Sequence, residues 1–217
     1  MSISHESIYT YLYVLPRGTL KKELIHYLRQ KHNVRFPRQK RRLKSSPIQD
    51  IVSIEERPKE VAERCVPGHW EGDLLIGQLN RSALGTLVER TTRFTLLVHL
   101  HAQDAASVRR AFARELQTLP KQLKRSLTYD QGKEMREHRL FTKSTKIRVY
   151  FAHPHCPWER GTNENTNGLI RQFFPKGIDF KKITQHEIKH VQLLLNERPR
   201  KVLDWRTPAE VFNELLH

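Results

Sequence analysis

The spacing of apolar residues changes character once along this chain. Up to about residue 30 they recur at helical intervals: Ile8, Leu12 and Leu15 share one face, and Leu20, Leu24, Tyr27 and Leu28 share another. Ser4 and Thr19 are placed to cap these two helices, and Pro16-Arg17-Gly18 separates them. The pair reads as a helical hairpin or as part of a helix-turn-helix, and the pattern does not choose between the two. From Trp70 onward short strand-like runs take over: Trp70 to Ile76, Leu84 to Val88 and Phe94 to Leu100. In the third, Phe94, Leu96, Val98 and Leu100 alternate with Thr95, Leu97 and His99, the period of a strand. Turns at Gln78-Leu79-Asn80-Arg81 and Arg90-Thr91-Thr92-Arg93 join the three into an antiparallel meander. A helix capped by Asp104 follows, with Ala105, Val108, Phe112, Leu116 and Leu119 facing inward as far as Pro120. Then come a strand from Ser126 to Tyr129, a short helix from Met135 to Phe141, a strand from Lys146 to Phe151 and a helix through about Phe173. Capping boxes at Thr184/Glu187 and Thr207/Glu210 open the last two helices, the first of which stops at Arg198-Pro199.

Charge changes this picture. Between the two periodic regions Arg29, Lys31, Arg35, Arg38, Lys40, Arg41, Arg42 and Lys44 run without an acidic interruption, which makes an arm suited to tracking phosphates. The whole chain of 217 residues carries a formal net charge of +16, so a polyanion is its expected partner. The expected division is a helical, basic DNA-binding segment over 1–45, a linker over 46–66 and a catalytic domain over 67–217. No apolar run approaches the roughly 18 residues that span a bilayer, and the first residues lack a signal-peptide pattern, so a cytoplasmic protein without membrane contact is expected. Two cysteines, Cys65 and Cys156, are too few and too distant for a disulfide scaffold or zinc ribbon. His153, His155 and Cys156 are crowded by Pro154 and Pro157 and lack finger spacing with His69 or Cys65. That segment reads better as a loop lining an acidic site, with Trp158 packed. The phosphate-loop, dinucleotide-binding and serine-elbow signatures are all absent from the sequence.

Asp73 interrupts an otherwise apolar strand, Asp130 ends a strand, and Glu164 lies on the helix after the last strand. A buried acid such as Asp73 needs a cation or hydrogen-bond donors. If the first and fourth strands are neighbours, both aspartates emerge at one end of the sheet. Arg160, Asn163, Glu164, Asn167 and Arg171 then form a continuous polar helix face, with Leu169, Ile170 and Phe173 on the packing side. Each acid alone also has a plain structural reading: a hydrogen-bonded buried acid, a turn cap, a solvated helix residue. Together they suit two-metal phosphoryl transfer, in which carboxylates from separate elements hold two Mg²⁺ or Mn²⁺ ions. By location and charge, Lys133, Arg160, Asn163, Asn167, Arg171 and Lys176 are the candidate DNA contacts of the domain, and Arg38, Lys40, Arg41 and Arg42 those of the basic arm.

Long blocks of sequence surround these acids: Gly68-His69-Trp70-Glu71-Gly72-Asp73, Gly85 to Arg93, Leu127 to Met135, Pro157 to Gly168 and Arg171 to Gly177. They resemble the catalytic domain of the IS-thirty family of bacterial insertion-sequence transposases, within the retroviral-integrase-like superfamily. The resemblance implies an α/β, ribonuclease H-like mixed sheet flanked by helices, behind a small N-terminal helical segment. It implies that Asp73, Asp130 and Glu164 are the acid triad, with 33 residues (131–163) between the last two. It also implies cleavage of double-stranded DNA at element ends, joining to a target strand, and a homo-oligomer. Family members usually carry helix-turn-helix segments ahead of the stretch resembling Ser4-His5-Glu6-Ser7-Ile8-Tyr9, so the chain reads as N-terminally truncated. The rival readings are a related nuclease that hydrolyses without joining, and a non-catalytic DNA-binding regulator of a full-length transposase.

Overall fold

Five strands give the protein its frame. The computed structural model describes residues 3–16, 18–26 and 48–216, which belong to two compact units, Met1–Pro47 and Ile48–His217. In the first unit, α1 (His5–Val14) is capped by Ser4, whose hydroxyl accepts from the Ser7 amide at 3.2 Å. Helix α2 (Thr19–His26) has Thr19 as its first residue rather than its cap. Lys21 Nζ donates to the carbonyls of Tyr13 and Leu15 at 2.9 and 2.8 Å, satisfying groups left open at the end of α1. Among the described residues of this unit Leu12, on the expected face, and Ile25 are buried, while Ile8 and Leu20, expected on the apolar faces, are exposed. Tyr27, Leu28 and the arm residues Arg38, Lys40, Arg41 and Arg42 lie outside the described residues.

The second unit begins with a segment that the sequence reads as linker but that packs on the sheet. It includes α3 (Lys59–Glu63), whose Val61 is buried. The strands are β1 (His69–Ile76), β2 (Ala83–Glu89), β3 (Thr95–His99), β4 (Ser126–Tyr129) and β5 (Arg148–Phe151), in the order β3-β2-β1-β4-β5. The first three form the expected antiparallel meander. Helix α4 (Ala105–Gln117) carries the chain across so that β4 joins β1 in parallel, and α5 (His138–Thr145) does the same for β5 beside β4. The predicted helix from Met135 is a 3-10 turn over Lys133–Met135 followed by α5, and the last strand starts at Arg148. The outer side of β5 is covered: Phe151 donates its amide to the Val52 carbonyl at 2.9 Å, and His138 Nε2 is hydrogen-bonded to the Gln49 carbonyl at 3.0 Å.

Both faces of the sheet are buried. On one, Val108, Phe112 and Leu116 of α4 pack with Trp70, Leu127 and Tyr129. The approach is close: a Cβ at Gly85 would strike the Phe112 ring, and one at Gly72 would lie 2.8 Å from Tyr129 Cδ2. On the other face α6 (Gly161–Phe173) and α7 (Gln185–Asn196) bring Ile170, Ile188, Val191 and Leu195 against Leu75, Leu84 and Leu97. Because side chains alternate along β1, Trp70 enters the α4 side while Glu71 and Asp73 turn toward α6. Helix α8 (Pro208–Glu214) closes one end, with Phe212 stacked on Phe94 at 4.1 Å.

Candidate active site

Parallel pairing of β1 with β4 brings Asp73 and Asp130 to the same end of the sheet, and one side chain joins them. Arg160 Nη1 lies 3.3 Å from Asp73 Oδ1 and its Nη2 lies 3.3 Å from Asp130 Oδ2, while Nη1 also donates to the Gly72 carbonyl at 3.2 Å. Asp73 Oδ2 accepts from Asn167 Nδ2 at 2.8 Å. Asp130 Oδ1 accepts from the Gly132 amide at 3.0 Å, which fixes the turn out of β4. A Cβ at Gly132 would collide with the Glu134 carboxylate folded over that turn.

The electrostatics follow from burial. Burial pushes the Asp73 carboxyl up, the Asp130 charge adds to this, and Arg160 opposes both. For Arg160, burial alone would favour losing the proton, but the two aspartates outweigh it and hold the guanidinium charged. Burial raises Glu134, with the charges of Asp130 and Asp73 acting in the same direction, and Tyr129 Oη donates to it at 3.4 Å. The Tyr129 phenol, fully buried, is pushed well above its ordinary range.

Glu164 is exposed on α6 and is not gathered with the aspartates. Among the described residues no group of three histidine, cysteine, aspartate or glutamate side chains is placed to hold a metal ion. The gap between the two aspartates is filled by the Arg160 guanidinium. Glu164 nonetheless sits one helical turn before Asn167, which touches Asp73, and four residues after Arg160, which touches both aspartates. The donor set fits Mg²⁺ or Mn²⁺, because Asp73 and Asp130 present oxygen to a cation they already share.

The structure corrects the expected polar face of α6. Asn163 is 1% exposed and its amide is consumed within the protein: Nδ2 donates to the Glu71 carbonyl at 2.8 Å and Oδ1 accepts from Thr86 Oγ1 at 3.0 Å. It fastens α6 to β1 and β2 and is buried away from any DNA surface. Phe173, expected inside, is 38% exposed. Arg171 ties α6 to the end of β1, donating to the Ile76 carbonyl at 2.9 Å. Lys133 and Lys176 are exposed. Trp158, expected to pack, is 71% exposed. In the loop before it, His153 Nδ1 meets Glu159 Oε1 at 2.8 Å, and the His153 amide donates to Oε2 at 2.8 Å.

One buried network escaped the sequence reading. Glu71, fully buried two residues before Asp73, pairs with Arg90 Nη1 at 2.5 Å and accepts from the Asn163 amide at 2.8 Å. Burial drives Arg90 down from its ordinary value and Glu71 opposes this. The available signal was the i, i+2 spacing of Glu71 and Asp73, which turns two acids onto one strand face and requires cations from elsewhere.

A mixed five-stranded sheet with acids at the ends of its central parallel pair is the ribonuclease H-like fold of integrase catalytic cores. The catalytic core domain of BIV integrase superposes over 69% of this chain and 96% of its own, with TM-score 0.52 at 17% identity. A chain of a simian T-cell lymphotropic virus intasome structure gives TM-score 0.54 at 17% identity, over 67% of this chain and 54% of its own. Residues 63–157 match the model of the integrase core domain. The transposase for insertion sequence element IS1086 of Cupriavidus metallidurans is 48% identical over 216 residues, all of this chain and 64% of the relative. Transposase InsI for IS30A of Escherichia coli K12 is 44% identical over 97% of this chain and 56% of its own length. The chain is similar to insertion-sequence transposases, and it spans 64% and 56% of the length of those two relatives.

Proposed function

We propose that this chain is the catalytic portion of a transposase that cuts double-stranded DNA at element ends and joins the freed 3′-hydroxyl to a target strand. The observation that carries this reading is the sharing of one guanidinium by Asp73 and Asp130 at the end of the central parallel strands, beside the helix bearing Glu164. In the proposed working state Asp73, Asp130 and Glu164 hold two divalent ions, Mg²⁺ or Mn²⁺. Such ions, when bound, neutralise charge on the attacking and leaving oxygens of the phosphodiester. Arg160 leaves the carboxylates and turns to a DNA phosphate, a partner that its planar, permanently charged group suits. Asn167 keeps Asp73 aimed, and the Glu71–Arg90–Asn163 network keeps α6 at a fixed height on the sheet. Lys133, Arg171, Lys176 and the arm residues Arg38, Lys40, Arg41 and Arg42 supply backbone contacts. The protein acts as a homo-oligomer on element ends and target, in the cytoplasm and on the nucleoid.

The test is an assay with a labelled element-end duplex, a plasmid target and Mg²⁺. The wild type gives strand-transfer product from a 3′-hydroxyl donor and Asp130→Asn does not. Equal product from the two contradicts the assignment, and cleavage without joining favours the hydrolytic reading.

A further inference from the structure

A basic site lies on another flank of α6. A cavity of about 260 Å³ is lined by Arg64, Arg93 and Arg200 together with Thr162, Asn165 and Thr166, and no carboxylate lines it. Arg64 ends α3, Arg93 belongs to the Arg90-Thr91-Thr92-Arg93 turn between β2 and β3, and Arg200 follows α7. Three separate parts of the fold thus deliver like charge to one place. Arg93 Nη1 donates to Thr162 Oγ1 at 2.8 Å and Arg200 Nη2 to the Leu195 carbonyl at 2.9 Å, but Nε of both is buried without a hydrogen-bond partner. Among the described residues none of the three arginines has an ion-pair partner.

The acids whose charge reaches Arg93 are engaged elsewhere. Glu71 is paired with Arg90 and the Asn163 amide. Glu89 accepts from the amides of Gly68, Thr91 and Thr92 and from the Thr92 hydroxyl. Arg93 is lowered by burial and then by Arg64, with Glu71 and Glu89 opposing, and Arg200 is lowered by burial and then by Arg198. Gathered guanidinium groups with unpaired buried N–H groups cost stability unless an anion joins them.

We infer that this cavity binds a backbone phosphate of the DNA, at a point separate from the carboxylate site. The inference rests on DNA being the substrate. Guanidinium forks match phosphate oxygens in geometry and charge, and Thr162, Asn165 and Thr166 add neutral hydrogen-bonding groups. Thr162, Asn165 and Thr166 lie on one face of α6, and Asn163 and Asn167 lie on another that meets β1. The helix is about 10 Å across with its side chains, so a phosphate in the cavity fixes the duplex a few nucleotides from the reacting bond.

The test uses the full chain and a fluorescent element-end duplex, with anisotropy titrations over a series of KCl concentrations. Arg64→Gln and Arg200→Gln each weaken binding about tenfold and lower the salt slope by about 1, and Arg64→Lys restores the slope. The Arg64 side chain is exposed and makes no hydrogen bond or ion pair among the described residues, so Arg64→Gln remains readable if Arg200→Gln unfolds. Melting temperature in sodium phosphate, against chloride at equal ionic strength, rises for the wild type and less for Arg64→Gln. Binding and slope unchanged in both glutamine variants overturn the pocket. Phosphate stabilisation without any change in DNA binding also overturns it, as a site for free anions only. A wild type that binds no duplex sinks the DNA reading itself, which separates the two failures.

Discussion

Arg160 is the residue on which the site turns. Among the described residues it is the cation that lies between the two aspartates, and its side chain is only 14% exposed. Arg160→Gln is expected to destabilise the metal-free protein by about 1–2 kcal/mol, less than a fully buried pair because the Asp130 side chain is 41% exposed. Added Mg²⁺ should recover more stability in the variant than in the wild type, read by thermal denaturation; equal recovery in both would mean that ion and guanidinium do not compete. His153 provides a pH signature in the neighbouring loop. Its hydrogen bond to Glu159, followed by the carboxylate's charge, raises its pKa above the ordinary 6.5. Burial works to raise Glu159, but its bonds to His153 prevail and lower it below 4.5. The histidine's contribution is therefore complete below 6.5 and lost as pH rises through its raised value. The glutamate's is complete above 4.5 and lost as pH falls through its lowered value. NMR titration should find His153 above 6.5 and return it toward 6.5 in Glu159→Gln. The placing of Asp73 and Asp130 at one end of the sheet was legible from the strand patterns around them, given that the first and fourth strands are neighbours. The Arg160 bridge was not, because it exists only once β4 pairs in parallel with β1.

Elements were legible where their signals are local. The capping boxes at Thr184 and Thr207 occur as read, and Asp104 caps α4 as expected. Helix α6 shows where such signals stop. Polar residues at helical spacing define a face, but not whether that face meets water or a buried acid, and here Glu71 and Thr86 wait beneath Asn163. Helix α3 went unread because five residues give too little periodicity. The edge strand β3 depends on a contact that no local pattern announces. Asn196 of α7 donates to the Thr95 carbonyl and accepts from the Thr95 amide, both at 2.9 Å, and Gln192 Oε1 takes the Leu97 amide at 2.9 Å. Asn196→Ala leaves two buried backbone groups unpaired and should cost about 2–3 kcal/mol, measured by urea denaturation. A loss below half a kcal/mol would show that water replaces the amide.

At the scale of the molecule, an apolar sheet carries acids at the end of its central strands inside a chain of net charge +16. That contrast sets a patch of negative charge within a chain whose overall positive charge suits a polyanionic partner. Residues 48–66 belong to this unit, and Gln49, Val52 and Ser53 among them cover the open side of β5 and the helix beside it, a role that their linker-like composition hides. The central claim is that Asp73, Asp130 and Glu164 act together on divalent ions. It is tested most directly by calorimetric Mn²⁺ titration of the protein bound to an element-end duplex, for the wild type and for Asp73→Asn, Asp130→Asn and Glu164→Gln. Two ions should bind the wild type, and each variant should lose at least one of them. Unaltered stoichiometry and affinity in all three variants would contradict the account.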